Sequence, residues 1–243
     1  MSGHSHAKTV ARRKGASDAK RTKIFNKIAR EIMVSVKLGS PDPADNPRLR
    51  AAIAEARGAN MPRDRIERVI KSAQPGGSDK SNYEEMRYEA YGPGGCALII
   101  EALTDNRNRT ASELRSLLSK HGGSLGETNS VSFMFGRVGE IVYPAAKASP
   151  DDMFEAVIDA GGDNVESDAE NHVITTGIDD FGAVRDALEA KLGEPSSAKL
   201  TWNPKTATPM SGDMAQSLLK LLDALDDNDD VQDVIGNFEL PEG

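Results

Sequence analysis

Nine cations crowd the first thirty residues of this chain (Lys8, Arg12, Arg13, Lys14, Lys20, Arg21, Lys23, Lys27 and Arg30) against one acid, Asp18. Ammonium and guanidinium groups at this density, almost unopposed, suit one chemistry above others: neutralising a phosphate backbone. The bland alternative is a solvated cationic face, and the scarcity of local acids favours nucleic acid over it. Such side chains give phosphate affinity without reading bases. Phe25 is the one aromatic among these thirty residues and is expected inside, so base stacking is not expected there.

Two further groups could meet an anion. Arg63, Arg65 and Arg68 project from a short helical segment, where a helix-turn-helix would place its groove-reading element. Asp64 and Glu67 interleave with them, so a solvated face of local ion pairs competes with that reading. In Thr104-Asp105-Asn106-Arg107-Asn108-Arg109-Thr110, Arg107 and Arg109 flank a helix start expected at Thr110, with Glu113 completing a capping box. Arg107, Arg109 and Thr110 could therefore form an anion site on free helix N–H groups, or the loop could simply build the helix N-terminus.

Catalytic chemistry finds little support. The four histidines (His4, His6, His121 and His172) form no metal-binding pattern, and there is no HExxH, CxxC or Walker A sequence. Gly92-Pro93-Gly94-Gly95 links strand to strand and is a turn, not a phosphate cradle. Cys96 is the single cysteine; it cannot form an internal disulfide and reads as a small buried residue in a reducing compartment. No enzyme activity, metal or cofactor is expected.

The charge is divided along the chain. Through Gly77 there are 17 Lys+Arg against 7 Asp+Glu; the remainder of the chain's 30 and 38 is 13 basic and 31 acidic residues. The overall charge of −8 thus hides a cationic front on an acidic body, and charge of this kind speaks to partners rather than fold.

Positioning falls to three groups of elements. Residues 1–17 are unpatterned and read as unstructured without a partner. A helix from Asp18 to Leu38 puts Ile24, Phe25, Ile28, Ala29, Ile32 and Val36 on one side and Lys20, Lys23, Lys27, Arg30 and Lys37 on the other. A second helix opens at Asn46-Pro47 and ends near Gly58, and a third begins at Pro62. The Pro75–Asp79 stretch reads as a hinge. Strands are expected at 83–91 and 96–103. Between Gly139 and Trp202 a complete βαββαβ series appears, with strands Glu140–Tyr143, Asn164–Ser167, His172–Thr176 and Ala198–Trp202 and helices Asp151–Ala160 and Asp180–Leu192. The unit over 80–135 looks unfinished, and the segment around Asp213–Leu240 could complete it.

The expected fold class is therefore α+β: a three-helix bundle over 1–77, a discontinuous α/β domain from 80–136 plus 207–243, and a ferredoxin-like domain inserted at 137–206. The longest apolar run, Cys96–Ile100, falls far short of the ~20 residues of a membrane span. With no secretory h-region, a cytoplasmic protein without membrane partners is expected.

At the motif level the chain resembles the YebC/PmpR family. The residues that carry the likeness are Gly3-His4-Ser5, Arg13-Lys14-Gly15, Asp18-Ala19-Lys20-Arg21, Lys23-Ile24-Phe25, Asn46-Pro47-Arg48-Leu49-Arg50 and Asn60-Met61-Pro62. Tyr88–Gly95, Thr104–Thr110 and Asn237-Phe238-Glu239 continue it. The family commonly has Lys-Trp after Gly-His-Ser where this chain has His6-Ala7. The resemblance implies a three-domain fold and a cytoplasmic, DNA-binding transcriptional regulator. Some members are instead similar to translation factors at the ribosome, including the mitochondrial translational activator of cytochrome oxidase. Three functions follow as expectations: a DNA-binding transcription regulator, a ribosome-associated factor on ribosomal RNA, or a protein-interaction scaffold, for which a homodimer is one form.

Overall fold

The computed structural model of the chain describes residues 18–241. The expectations for residues 1–17, including those for Lys8, Arg12, Arg13, Lys14, His4 and His6, lie outside that range. The first helix spans Asp18–Leu38 (α1), the bounds its periodicity suggests, and buries Phe25, Ile28, Ala29, Ile32 and Val36. Pro47–Gly58 (α2) follows. Asn46 caps it by accepting the Leu49 N–H at 3.1 Å, and its Nδ2 donates to the Ser35 and Ser40 carbonyls at 2.8 and 2.7 Å. One buried side chain thereby satisfies a helix start and ties it to the end of α1, which is why an Asn precedes Pro47. A left-handed Asn60, with φ 60°, then turns the chain into Arg63–Ala73 (α3).

Strands Glu84–Tyr91 (β1) and Ala97–Thr104 (β2) form an antiparallel hairpin. Its turn needs glycine: Gly94 and Gly95 have φ of 71° and 77°, a region L side chains avoid. The next helix spans Arg107–Lys120 (α4), three residues earlier than its expected start at Thr110. Asn106 is the cap, accepting the Arg109 N–H at 3.1 Å. It wins because the Thr110 hydroxyl is drawn into the interior, and Glu113 accepts a bond from Asn228 (2.8 Å) instead of closing a capping box.

Ser124–Leu125 (β3), Phe135–Pro144 (β4), Pro150–Ala160 (α5), Asn164–Ser167 (β5), Asn171–Thr176 (β6), Phe181–Leu192 (α6) and Ser197–Pro204 (β7) continue the chain. Thr208–Pro209 (β8), Gly212–Asp226 (α7), Val231–Gly236 (β9) and Phe238–Glu239 (β10) end it. Two four-stranded sheets result, ordered β3-β1-β2-β9 and β5-β6-β4-β7.

The chain divides into two compact units. One gathers α1 up to Lys27, Lys80–Gly136 and the chain from Asn203 on. In it β9 pairs antiparallel with β2, and Leu114 and Leu118 of α4 share a core with Leu218, Leu221, Leu222 and Leu225 of α7. The other joins Ile28–Asp79 to Arg137–Trp202. Its β5-β6-β4-β7 order is the split ferredoxin-like arrangement, and Ile141, Tyr143, Met153, Val157, Ile174, Val184 and Leu188 fill its core.

Candidate nucleic-acid interface

The cations of α1 differ in exposure, and two of them are bound to the C-terminal segment. Lys20 and Arg21 are exposed and Arg30 is half-buried. Lys23 meets the Asp227 carboxylate at 3.0 Å and its carbonyl at 3.2 Å. Lys27, expected on the outer face, is only 9% exposed; its ammonium donates to the Asp226 carbonyl at 2.5 Å and the carboxylate at 3.1 Å. Both lysines therefore sit on the C-terminal end of α7, where unpaired carbonyls and the helix dipole favour a positive charge. The acidic run that attracts them lies some two hundred residues away, so helical periodicity alone could not assign these two side chains inward.

On α3, Arg63 and Arg68 are exposed, and each reaches a carboxylate one turn away: Glu67 at 2.7 Å and Asp64 at 3.0 Å. Arg65 is half-buried. The helix thus presents alternating charge instead of a cationic stripe.

The third group is drawn together by a partner from its own chain. Arg109 Nη2 donates to Asp230 Oδ2 at 2.8 Å, and the Thr110 hydroxyl donates to the same oxygen at 2.7 Å. Thr110 Oγ1 also lies 2.8 Å from Thr104 Oγ1, and Asp105 meets Arg109 at 3.0 Å. Arg107 turns elsewhere, to Glu84. An anion does meet Arg109 and Thr110, but it is the chain's own Asp230, which is buried just before β9. Replacing Asp230 by Ala removes the buried acceptor that Arg109 and Thr110 share, leaving Arg109 to Asp105 and Thr110 to Thr104 and the Asn106 carbonyl, and should cost about 1–2 kcal/mol. Urea denaturation measures this, and an unchanged midpoint would show that Asp230 contributes nothing.

Glu89 escaped sequence reasoning, because a carboxylate on a strand ordinarily signals the solvent side. Here it is buried on β1 and accepts three backbone N–H groups: Asn129 at 2.9 Å, Val131 at 2.7 Å and Ser132 at 2.8 Å. Burial pushes the carboxyl up, but the N–H groups of Val131, Asn129 and Ser132, with Arg87 nearby, outweigh it and hold the group below the usual carboxylate value. Its stabilisation is thus complete above the ordinary carboxylate range and fades as the pH falls through the depressed folded value. Glu89→Gln should loosen the 126–132 loop at pH 7, and the gap from the parent chain should close in acid. Amide exchange of Val131 and Ser132 across pH measures it; a difference that persists undiminished in acid would contradict the ionised clamp.

Cys96 and His172 both lie in the interior. Burial pushes the Cys96 thiol up to about 11, far from a thiolate nucleophile. His172 is buried, with Nδ1 2.7 Å from Ser167 Oγ and Nε2 3.1 Å from the Ala148 carbonyl, so both ring nitrogens serve packing. Among the described residues no group of His, Cys, Asp or Glu could hold a metal ion, and no helix is long and apolar enough to cross a membrane.

Comparison with known proteins agrees with these elements. Residues 5–76 match the TACO1/YebC protein N-terminal domain, and residues 83–238 match the TACO1/YebC second and third domain, a model labelled as a transcriptional regulator. The crystal structure of a conserved hypothetical protein from Aquifex aeolicus is 42% identical, with a TM-score of 0.85, covering 100% of this chain and 98% of that one. The mixed helix–sheet architecture and both family matches lead to one assignment: the chain belongs to the TACO1/YebC family, which in general terms marks it as a regulator.

Proposed function

We propose that this protein is a non-enzymatic regulator of gene expression that binds DNA by phosphate contact through its basic N-terminal segment. The observation that carries the reading is the charge partition, 17 basic to 7 acidic residues through Gly77 on a chain of net charge −8. The regulator label of the family model supports it. Lys20 and Arg21 face outward on α1, as contact with a polyanion requires. Lysine and arginine side chains of this kind draw their affinity mainly from the phosphate backbone.

One observation favours a second target, ribosomal RNA. Arg63 and Arg68 are each engaged by a neighbouring carboxylate, so α3 is poorly equipped to read a major groove, where arginine would have to bind guanine edges. An acidic body also suits a compact folded RNA better than a long duplex, which repels it along its length. A scaffold that binds proteins through the acidic domains is the weaker third reading; it would keep its partner in high salt, where phosphate contacts are screened.

Crosslinking in cells, followed by sequencing of the recovered nucleic acid, tests the assignment. Enrichment of promoter DNA supports the first reading and enrichment of ribosomal RNA the second. Recovery of neither above background would defeat both.

A further inference from the structure

The basic front lacks an aromatic to stack on a base, yet the molecule presents one elsewhere. Phe133 is 64% exposed, although Val131 and Phe135, two residues to either side, are buried at 0% and 3%. A single exposed apolar side chain needs no explanation by itself; what sets this one apart is how it is held and what surrounds it.

Its loop is fixed from several directions. Glu89 binds the N–H groups of Asn129, Val131 and Ser132, and the Tyr91 hydroxyl donates to the Ser130 carbonyl at 3.0 Å. Asn129 takes a left-handed conformation with φ 67°, and the Met134 N–H closes a tight turn on the Val131 carbonyl at 2.9 Å. On the far side, Lys205 donates its backbone N–H to the Met134 carbonyl at 2.9 Å and its ammonium to the Phe133 carbonyl at 3.0 Å. The ring is presented by a backbone already ordered, so little freedom remains to be lost on binding.

Its surroundings differ in charge from the rest of the body. After Gly77 the chain carries 31 acids, yet residues 128–136 and 203–212, the two segments joined at Lys205, contain none. An exposed ring whose own carbonyl holds an ammonium, on two segments that carry no acid of their own, has the chemistry of a single-strand contact: a base on the aromatic face and its phosphate on the cation.

We propose that Phe133, with Lys205, is a stacking site for an unpaired base of the nucleic acid that the basic front holds by its phosphates. The site rests on the nucleic-acid reading above and deepens it. It makes the protein a reader of unpaired segments, such as loops of a folded RNA or a melted duplex, instead of a groove binder.

The test uses the full chain with two probes of equal length, a fluorescently labelled 15-nucleotide oligo-U RNA and a 15-base-pair DNA duplex, in anisotropy titrations. Phe133→Ala should weaken binding to the single strand about tenfold and leave duplex binding and the melting temperature unchanged. Phe133→Trp should restore the affinity, while Phe133→Leu, apolar but without a π-face, should behave like the alanine variant. Rescue by leucine would overturn stacking in favour of an apolar protein contact. Parent-like single-strand binding by Phe133→Ala would also overturn it; if Lys20→Glu/Arg21→Glu then still loses both probes, the parent reading survives alone. Should the parent chain bind neither probe in low salt, both fall together.

Discussion

A chain ending at Thr206 should lose the β1–β2 sheet as a folded unit while the β4–β6 pair stays protected. The cut removes everything from β8 to β10, and with it nine of the fifteen residues that fill the first core: Met210, Ala215, Leu218, Leu221, Leu222, Leu225, Val231, Val234 and Phe238. Burying one leucine is worth about 1.5–3 kcal/mol, so the four α7 leucines alone rival the ~5–15 kcal/mol that holds a typical domain together. The loss also strips β2 of its partner. Leu98, Ile99 and Ile100 are fully buried and pair with β9 residues from Gly236 to Val234, so an apolar strand edge becomes available for aggregation. Asn237 adds a polar tie, its side chain accepting the Ala97 N–H at 2.7 Å. The second core draws on residues between Ile141 and Ala198, all retained. Hydrogen exchange of Leu98–Ile100 and of Ile174 in the same sample provides the readout. Full protection of the former in the truncated chain would show that the segment after Thr206 is dispensable.

That β9 must finish a sheet begun more than a hundred residues earlier was readable from a local deficit: two strands and one helix over 80–135 do not close a core. Elements set by neighbours were equally legible. The Asn46-Pro47 start of α2 is declared by residue types that satisfy or remove orphan N–H groups, and the βαββαβ alternation stands out because its periods switch cleanly between 2 and 3.6. Legibility failed wherever a distant partner outbid a local one. Thr110 and Glu113 spell a capping box, but Asp230 takes the Thr110 hydroxyl and the cap passes to Asn106. Glu89 looks like a solvent-side carboxylate until the loop around Asn129 is folded over it. An acidic residue carries no local mark of whether it will meet water, an ammonium or a row of N–H groups.

The same failure reshapes the candidate interface, because charge counts along a sequence do not say which charges stay outside. Asp226, Asp227 and Asp230 take Lys27, Lys23 and Arg109 respectively. These cations now explain how the C-terminal helix and strand are held in their unit, and a phosphate would have to displace a carboxylate to reach them. Lys20, exposed on α1, stands with the tail bases Lys8, Arg12, Arg13 and Lys14 of the sequence as a cation suited to a polyanion.

Two charge variants separate these roles. Reversing Lys8, Arg12, Arg13, Lys14 and Lys20 to Glu should lower affinity for a 15-base-pair duplex by more than a hundredfold at about 0.1 M salt. If all five neutralise phosphates, the slope of log affinity against log salt should flatten by roughly 4.5, at about 0.9 per contact, while the melting temperature holds. Lys27→Met should do the reverse. It strands the Asp226 carboxylate and carbonyl beside an apolar stem and should cost about 1–2 kcal/mol, a figure kept small because Asp226 is half exposed to water. Its salt slope, measured well below its melting temperature, should match the parent's. A Lys27→Met chain that kept its stability but lost the salt slope would move that ammonium from the α7 terminus to the nucleic acid. A five-fold reversal that bound as tightly as the parent would remove the basic front from the interface altogether.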